Sequence, residues 1–590
     1  MTSSERGKDG WPNLLFLIWL IAAATLVIWK WKAIGGLALP DTDDNMRLQQ
    51  VRDWIAGQGW YDLVQHRMNP PHGGDMHWSR LVDLPLAGII LALKPFVSTA
   101  VAERAAVALA PLLSLGAAMT ALAVIVRRAV APSAWALGPA ILLCASSTLG
   151  MMSPLRIDHH GWQIALALAM VMGFVTSRAL IGGAVAGLAT ALSMAIGIET
   201  LPYLAMGGAT IVLLWIVDAA ERPRLLAYGA MLGLCAPLAL TLFLTPARWD
   251  VPMCDALSPA YIWAATLAGG GAVALATFSP ASAIRRLVAA ALLAGMLLLF
   301  EYRFYPGCLA DPYAGLSADL KRLWLSNVRE ARPIYRQDIE VAIAFMALPV
   351  IGLAGSSWSL WRNRQDHRLL LRWGAILLMT AFGTGLCLIQ TRAAPLAQAL
   401  AVPGAVALCW ALALPARASR YVLVRAFGTV AGFLIASGLA VQFGSTLIPK
   451  EKSQGVSKTR KADMLCAREA ALAPLNRLPP ATMLTMLDLG PRLIVRTHHS
   501  AIAGPYHRNG AAIVDLMNAW GGTPERARSI IDRHGADYVL LCAGASETGL
   551  YLQRAKDGFY ARLAKGRAPD WLTPVGLPPG NPYRLWKVEK

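Results

Sequence analysis

Charged side chains are scarce in this chain. Asp, Glu, Lys and Arg make up 15% of the 590 residues, 56% are hydrophobic, and mean hydropathy is +0.48, which excludes a soluble protein of this length. Acidic residues are fewer still, 35 against 54 Lys and Arg, for a formal charge of +19. That excess does not imply nucleic acid. The basic residues are spread through short connections between apolar segments, as topology signals are, and anionic lipid or phosphate partners suit them better. A small-residue cleavage site is missing too: after SERGKDG the first apolar run is long enough to stay in a bilayer and ends in Trp29 to Lys32, so it reads as a signal anchor. There is no convincing internal repeat, and the interiors of the apolar segments carry almost no charge. Both absences count against a transporter or flippase of lipid-linked glycans, the alternative class.

What is present is a succession of apolar segments near the ~20 residues a span requires. They cover 12–34, 103–126, 134–152, 160–177, 179–197, 200–217, 224–245, 259–278, 284–300, 339–361, 369–390, 395–414 and 421–448, about thirteen spans. Leu81 to Val97, with Asp83, two prolines and Lys94, reads as a segment lying on the membrane surface. With it excluded, Arg127 and Arg128, Asp218 to Arg224, Arg285 and Arg286, Arg362 to Arg368, and Arg417 to Arg425 all fall on the cytoplasmic side; only Lys30 and Lys32 fall outside. The expected fold is therefore a multi-pass α-helical protein of the plasma (inner) membrane over residues 1–448, followed by an extracytoplasmic, periplasmic α/β domain over 449–590. Outer loops span 35–102, 153–159, 246–258 and 301–338.

Four of the eight cysteines lie in those outer parts, where an oxidising compartment permits Cys254 to pair with Cys308 and Cys466 with Cys542. In the tail, after the basic linker KEKSQGVSKTRK, Thr482 to Leu487 and Tyr538 to Cys542 read as strands, and Gly510 to Trp520 and Pro524 to His534 as helices.

Two polar clusters stand out against this background. Ser153 to Gln163, SPLRIDHHGWQ, sets an Asp and two His between apolar segments. In an extended run, Asp158 and His160 share one side while His159 faces the other. A carboxylate and an imidazole suit a divalent cation but do not complete its shell, so a third ligand comes from elsewhere. Pro40 to Arg47, PDTDDNMR, offers Asp41, Asp43 and Asp44. A solvated turn accounts for either cluster alone; together, on one side of a membrane, they point to an enzyme working at the interface.

These stretches resemble motifs of the catalytic subunits of oligosaccharyltransferases, within the GT-C membrane glycosyltransferases, and the resemblance runs nearly end to end. Asp41 to Arg47 is similar to the first outer-loop motif D-x-x-x-N-x-R, with Asp41, Asn45 and Arg47 in place. Asp158, His159 and His160 resemble the second acidic motif in its D-H-H form. Asn327 to Pro333, NVREARP, resembles S-V-S-E-x-x-P, keeping Val328, Glu330 and Pro333. Arg392 stands where the family keeps an arginine for the lipid-linked diphosphate. MLDLG at Met486 to Gly490 matches W-W-D-Y-G only at Asp488 and Gly490.

The resemblance implies transfer of a sugar or oligosaccharide from a polyprenyl (di)phosphate donor to an extracytoplasmic acceptor. It implies Asp41, Asp158 and Glu330 as catalytic groups, Mn²⁺ or Mg²⁺ held by Asp41, Asp158 and His160, and Arg392 on the donor diphosphate. Asp488 is implied on the acceptor side, and His507, in PYHRN, is a further acceptor-side candidate. Without the tryptophan pair the acceptor is left open between a protein Asn and a lipid or glycan. The plain structural accounts are a snorkelling arginine for Arg392 and an ion pair with Arg329, Arg332 or Arg336 for Glu330.

Overall fold

A computed structural model describes residues 10–310, 315–447 and 454–590. The SERGKDG segment except Gly10, the expected domain boundary at 448/449 and the first residues of the basic linker lie outside them.

All of the expected apolar segments are helical. Among the described residues nine helices are long and apolar enough to cross a membrane, and Val422–Ala436 with Leu439–Ser445, bent by 74°, makes a tenth. Three further apolar helices, Pro132–Cys144, His160–Val175 and Leu201–Val217, are shorter, so length does not support a count of thirteen. His160–Val175 packs on Thr99–Ala129 and Ala179–Ile196, and a helix shielded by its neighbours need not match the lipid thickness. Small residues bring other helices close: Gly355 of Ile339–Arg362 faces the Gly404 carbonyl of Ala394–Ala418 so closely that a Cβ there would collide with it.

The basic connections gather at one end of the bundle. Arg372 Nη1 donates to the Arg128 carbonyl (2.9 Å), Arg128 Nη1 to Ser177 Oγ (2.5 Å), and Arg286 to the Ile216 carbonyl, while His367 pairs with Asp218 (3.0 Å).

The outer connections and the tail pack elsewhere, against one another. Arg80–Leu93, which contains the helical part of the expected surface segment, is too short to count as a span, and its Asp83 is buried between Arg47 (2.7 Å) and Arg80 (3.2 Å). The tail contains a five-stranded sheet in the order Ser500–Ala501, Thr482–Leu484, Tyr538–Cys542, Tyr583–Val588, Leu572–Val575. The first three strands are parallel and the last two antiparallel. Tyr538–Cys542 is buried at every position, as a central strand covered on both faces must be. Gly510–Gly521 and Pro524–Arg533 are the helices the periodicity predicts, whereas the Thr482 strand stops at Leu484 because the chain then turns into the Leu487–Leu489 helical turn. Cys254 pairs with Cys308, and Cys466 with Cys542.

The tail is docked on the first outer loop. Asn69 N donates to the Ala501 carbonyl (2.8 Å), Ala501 N to the Arg67 carbonyl (3.0 Å), and Arg52 joins Glu103 (2.7 Å) to the Val495 carbonyl (2.7 Å). Tyr506 OH donates to the Thr42 carbonyl (3.0 Å). The tail thereby abuts the start of the Thr42–Ile55 helix, where the first carboxylate cluster sits.

Candidate functional site

Asp41 caps the Thr42–Ile55 helix, and Asp43 and Asp44 follow in its first turn, where the positive end of the helix dipole favours carboxylates. Asp44 is fully buried and accepts from the backbone N–H groups of Ile157 (2.8 Å) and Asp158 (3.1 Å), which ties the two sequence clusters together. Just before them Leu155 has a left-handed backbone (φ 77°), and Arg156 follows with its guanidinium among three carboxylates: Asp41 Oδ2 (2.7 Å), Asp44 Oδ2 (3.0 Å) and Asp158 Oδ2 (3.2 Å).

The expectation that His159 faces away from Asp158 and His160 is overturned. The segment is not extended: Asp158 Oδ1 accepts from His160 N (2.7 Å), the chain turns, and His160 opens the His160–Val175 helix. His159 and His160 therefore lie on the same carboxylate, His159 Nδ1 3.5 Å from Asp158 Oδ1 and His160 Nε2 3.7 Å from Asp158 Oδ2, with their rings 4.3 Å apart. His159 Nε2 also stands 3.4 Å from Glu199 Oε1, and Gln163 Nε2 holds the other Glu199 oxygen (3.0 Å).

Charge and desolvation work against each other here. Burial raises Asp158, but His160, His159 and Arg156 outweigh it and hold the carboxyl well below the usual range. Burial pushes Asp44 up to about 7 against the opposing pull of Arg156. Asp43 is raised well above the ordinary value by burial, then by the charges of Asp41 and Asp158; Glu330 adds to them.

Glu330 is paired with Arg392, Nη2 to Oε1 at 2.7 Å, rather than with Arg329, Arg332 or Arg336. The pair is held by Thr391, whose N and Oγ1 both donate to the Arg332 carbonyl (2.8 and 2.6 Å). Asp488 comes from the tail. Asp488 is exposed, and desolvation by the protein around its carboxyl, with the charge of Asp41, raises it to about 6. Behind it the buried Glu547 accepts from the N–H groups of Leu487 (2.7 Å) and Asp488 (2.9 Å) and from Tyr551 OH. Met486 and Leu487, at the two positions where the family motif has tryptophans, are buried in the tail's core, and Gly490 lies so close to the Ala503 carbonyl that no side chain fits.

Asp41, Asp158, His160, Glu330, Arg392 and Asp488 thus share one electrostatic neighbourhood. His507 faces Asp255 (2.6 Å) and His77, on the tail-to-loop interface. The sequence reading also passed over Arg156, inside SPLRIDHH, and Glu199, a lone carboxylate between two apolar segments.

The donor set fits a divalent cation. Asp158, His159 and His160 each offer a ligand atom within 4.8 Å of the others, and both buried ring nitrogens of His159 lack a hydrogen-bond partner. Two imidazoles beside a carboxylate suit a borderline ion such as Zn²⁺ better than Mg²⁺. Asp41 reaches the group through Arg156.

No protein-family model and no curated protein sequence matches the chain. Among solved structures, it is similar to the oligosaccharyltransferase of Archaeoglobus fulgidus. The apo form of that protein aligns with TM-score 0.69 and 13% identity over 96% of this chain and 73% of that one. Its complex with an inhibitory peptide and a dolichol-phosphate gives 0.67 and 13% over 99% and 75%, and its complex with Zn and sulfate 0.56 and 12% over 97% and 73%. The chain therefore has the GT-C membrane fold of oligosaccharyltransferase catalytic subunits: an integral membrane helical bundle carrying a small tail domain with a sheet.

Proposed function

We propose that this chain, folded as an oligosaccharyltransferase subunit, transfers a sugar or oligosaccharide from a polyprenyl (di)phosphate donor to an extracytoplasmic acceptor. The observation that carries the reading is the Glu330–Arg392 pair, with Glu330 within electrostatic reach of Asp43 in the Asp41–Asp44–Asp158 cluster and Asp488 of the tail within reach of Asp41. The archaeal complexes, one with a dolichol-phosphate and one with Zn and sulfate, support a lipid phosphate and a metal as ligands. The basic end of the bundle supports a cytoplasmic face opposite the cleft.

Cleavage of the glycosyl–phosphate bond leaves negative charge on the departing oxygen, which a cation in a partly desolvated site neutralises. Arg392 is placed to receive the donor phosphates. Doing so loosens its bond to Glu330, whose carboxylate is then available to orient the acceptor nucleophile and take its proton. Arg156 keeps Asp41, Asp44 and Asp158 aligned before a donor arrives. A divalent cation held by Asp158 and His160, with Asp41 and His159 beside them, supplies Lewis-acid neutralisation of the diphosphate when bound.

Asp488, fixed by Glu547, faces the acceptor. With Met486 and Leu487 turned into the core, this end lacks the aromatic wall of the family motif, and we assign an acceptor other than the Asn of an N-x-S/T sequon, on a lipid, a glycan or a different protein site.

The test is turnover of a polyprenyl-diphosphate-linked glycan by the purified chain. Release of polyprenyl diphosphate should be lost on chelation, restored by Mn²⁺ or Zn²⁺, and lost in Asp158→Ala. Release unaffected by both chelation and Asp158→Ala would remove the site, and efficient glycosylation of an N-x-S/T peptide would reverse the acceptor assignment.

A further inference from the structure

Away from the carboxylate cluster, three residues from three distant stretches meet where the tail docks. His77 comes from the first outer loop, Asp255 from the connection pinned by Cys254–Cys308, and His507 from the tail, next to Tyr506, which reaches the Thr42 carbonyl. Each offers one ligand atom, and these atoms lie within 4.8 Å of one another. His507 Nε2 is 2.6 Å from Asp255 Oδ2, and the His77 and His507 rings face each other with centroids 4.9 Å apart. Among the described residues nothing hydrogen-bonds to the ring nitrogens of His77, whose neighbours are the rings of Trp78 and His507.

We propose that His77, Asp255 and His507 form a second metal site, for a zinc-like divalent transition ion, that staples the tail domain to two outer loops. Two imidazoles and one carboxylate are a common three-ligand set for zinc, with a fourth position left to water. Zinc bonds of ~2.0–2.2 Å in a tetrahedron place ligand atoms roughly 3.5 Å apart, so the present spacing closes with side-chain shifts of about 1 Å. The carboxylate already has its outer partner: Arg508 donates to Asp255 through Nε (2.8 Å) and Nη2 (2.9 Å) and is itself braced on Asp75 (3.0 Å). Such a partner orients a ligating carboxylate and leaves a lone pair for the metal, while its charge, like that of Arg156, lowers the affinity for a cation. The staple is separate from the transfer chemistry and does not depend on the function proposed above. Its work is to hold the tail where Asp488 faces Asp41.

The test uses the full chain with Asp158→Asn, His159→Gln and His160→Gln, which removes the other histidine cluster. Co²⁺ titration of this parent should give the visible bands of a low-coordinate nitrogen and oxygen site at one equivalent, displaced by Zn²⁺. Adding His77→Gln or His507→Gln should weaken Co²⁺ binding at least tenfold, and Zn²⁺ should raise the unfolding temperature of the parent but not of either variant. Pulsed EPR with Cu²⁺ needs no further variant and should count two imidazoles in the parent. A parent that binds no Co²⁺, bands unchanged by both substitutions, or fewer than two imidazoles would overturn the proposal.

Discussion

Arg156 gives the sharpest handle on the carboxylate cluster, because it already performs part of what a metal does. Its guanidinium meets Asp41, Asp44 and Asp158 at 2.7, 3.0 and 3.2 Å, and its side chain is 14% exposed. In Arg156→Gln the cavity is kept and the charge is lost, so three carboxylates repel one another with Asp44 and Asp158 still buried. Removing one partner of a buried ion pair typically costs ~3–5 kcal/mol. The metal should respond in the opposite sense. A unit charge about 5 Å from a divalent ion repels it by roughly 7 kcal/mol at an effective dielectric of ~20. Water in the open cleft reduces that to less than half, and about 3 kcal/mol corresponds to ~100-fold in Kd. The variant should therefore unfold at a lower temperature without metal, bind Mn²⁺ ~100-fold more tightly, and recover most of its stability when Mn²⁺ is added. Mn²⁺ EPR gives the free ion and hence Kd, and intrinsic fluorescence follows unfolding. Equal Mn²⁺ affinity in the two proteins, or a variant as stable as the parent without metal, would refute the account of Arg156 as resident counter-charge.

Three further outcomes follow from the same geometry. Arg392→Ala should slow both transfer and donor hydrolysis by ~100-fold, about 3 kcal/mol, since both break the same bond, whereas Glu330→Gln should slow transfer while leaving hydrolysis and donor binding largely in place; steady-state kinetics with and without acceptor separates them. His159→Ala should damage metal binding as much as His160→Ala, because the turn at Asp158 puts both imidazoles on the same carboxylate; Mn²⁺ binding of the two variants decides it. Asp488, raised to about 6, is protonated below that pH and charged above it, so acceptor transfer should climb through pH 6 and level off, while Asp488→Asn should be slow and flat and donor hydrolysis should lack this limb.

The bundle was legible because a span announces itself by length and hydropathy, and the tail helices because their apolar residues recur with the helical period. What length hides is which spans are shielded: His160–Val175 is short because its first residues belong to the site, and composition alone cannot separate a short internal helix from a lipid-facing one. The strand at Thr482 was read three residues too long, whereas the short strands Ser500–Ala501, Leu572–Val575 and Tyr583–Val588 were not read at all. In the site, residue types were visible and directions were not. Alternation gave the wrong side for His159 because the segment is not extended: Asp158 Oδ1 accepts from the His160 N–H and the chain turns into a helix there. Arg156 was hidden because a basic residue inside an acidic motif reads as a surface charge until its three partners are seen. Glu547, nearly sixty residues from MLDLG, has no local signal at all.

The position of Glu547 bears on why MLDLG keeps Asp488 and Gly490 while carrying no tryptophan. A buried carboxylate that captures two successive backbone N–H groups fixes the peptide at Leu487 and Asp488, and Gly490 lets the same turn press against the Ala503 carbonyl. Both features set the direction of the Asp488 side chain and neither needs an aromatic residue. The turn can therefore keep its carboxylate aimed at the cleft while the residues before it are replaced by Met and Leu that fill the core. Presentation of the Asp488 carboxylate is thus separable from an aromatic wall before it, so that under the function proposed above a chain with this turn would keep the donor chemistry while changing its acceptor.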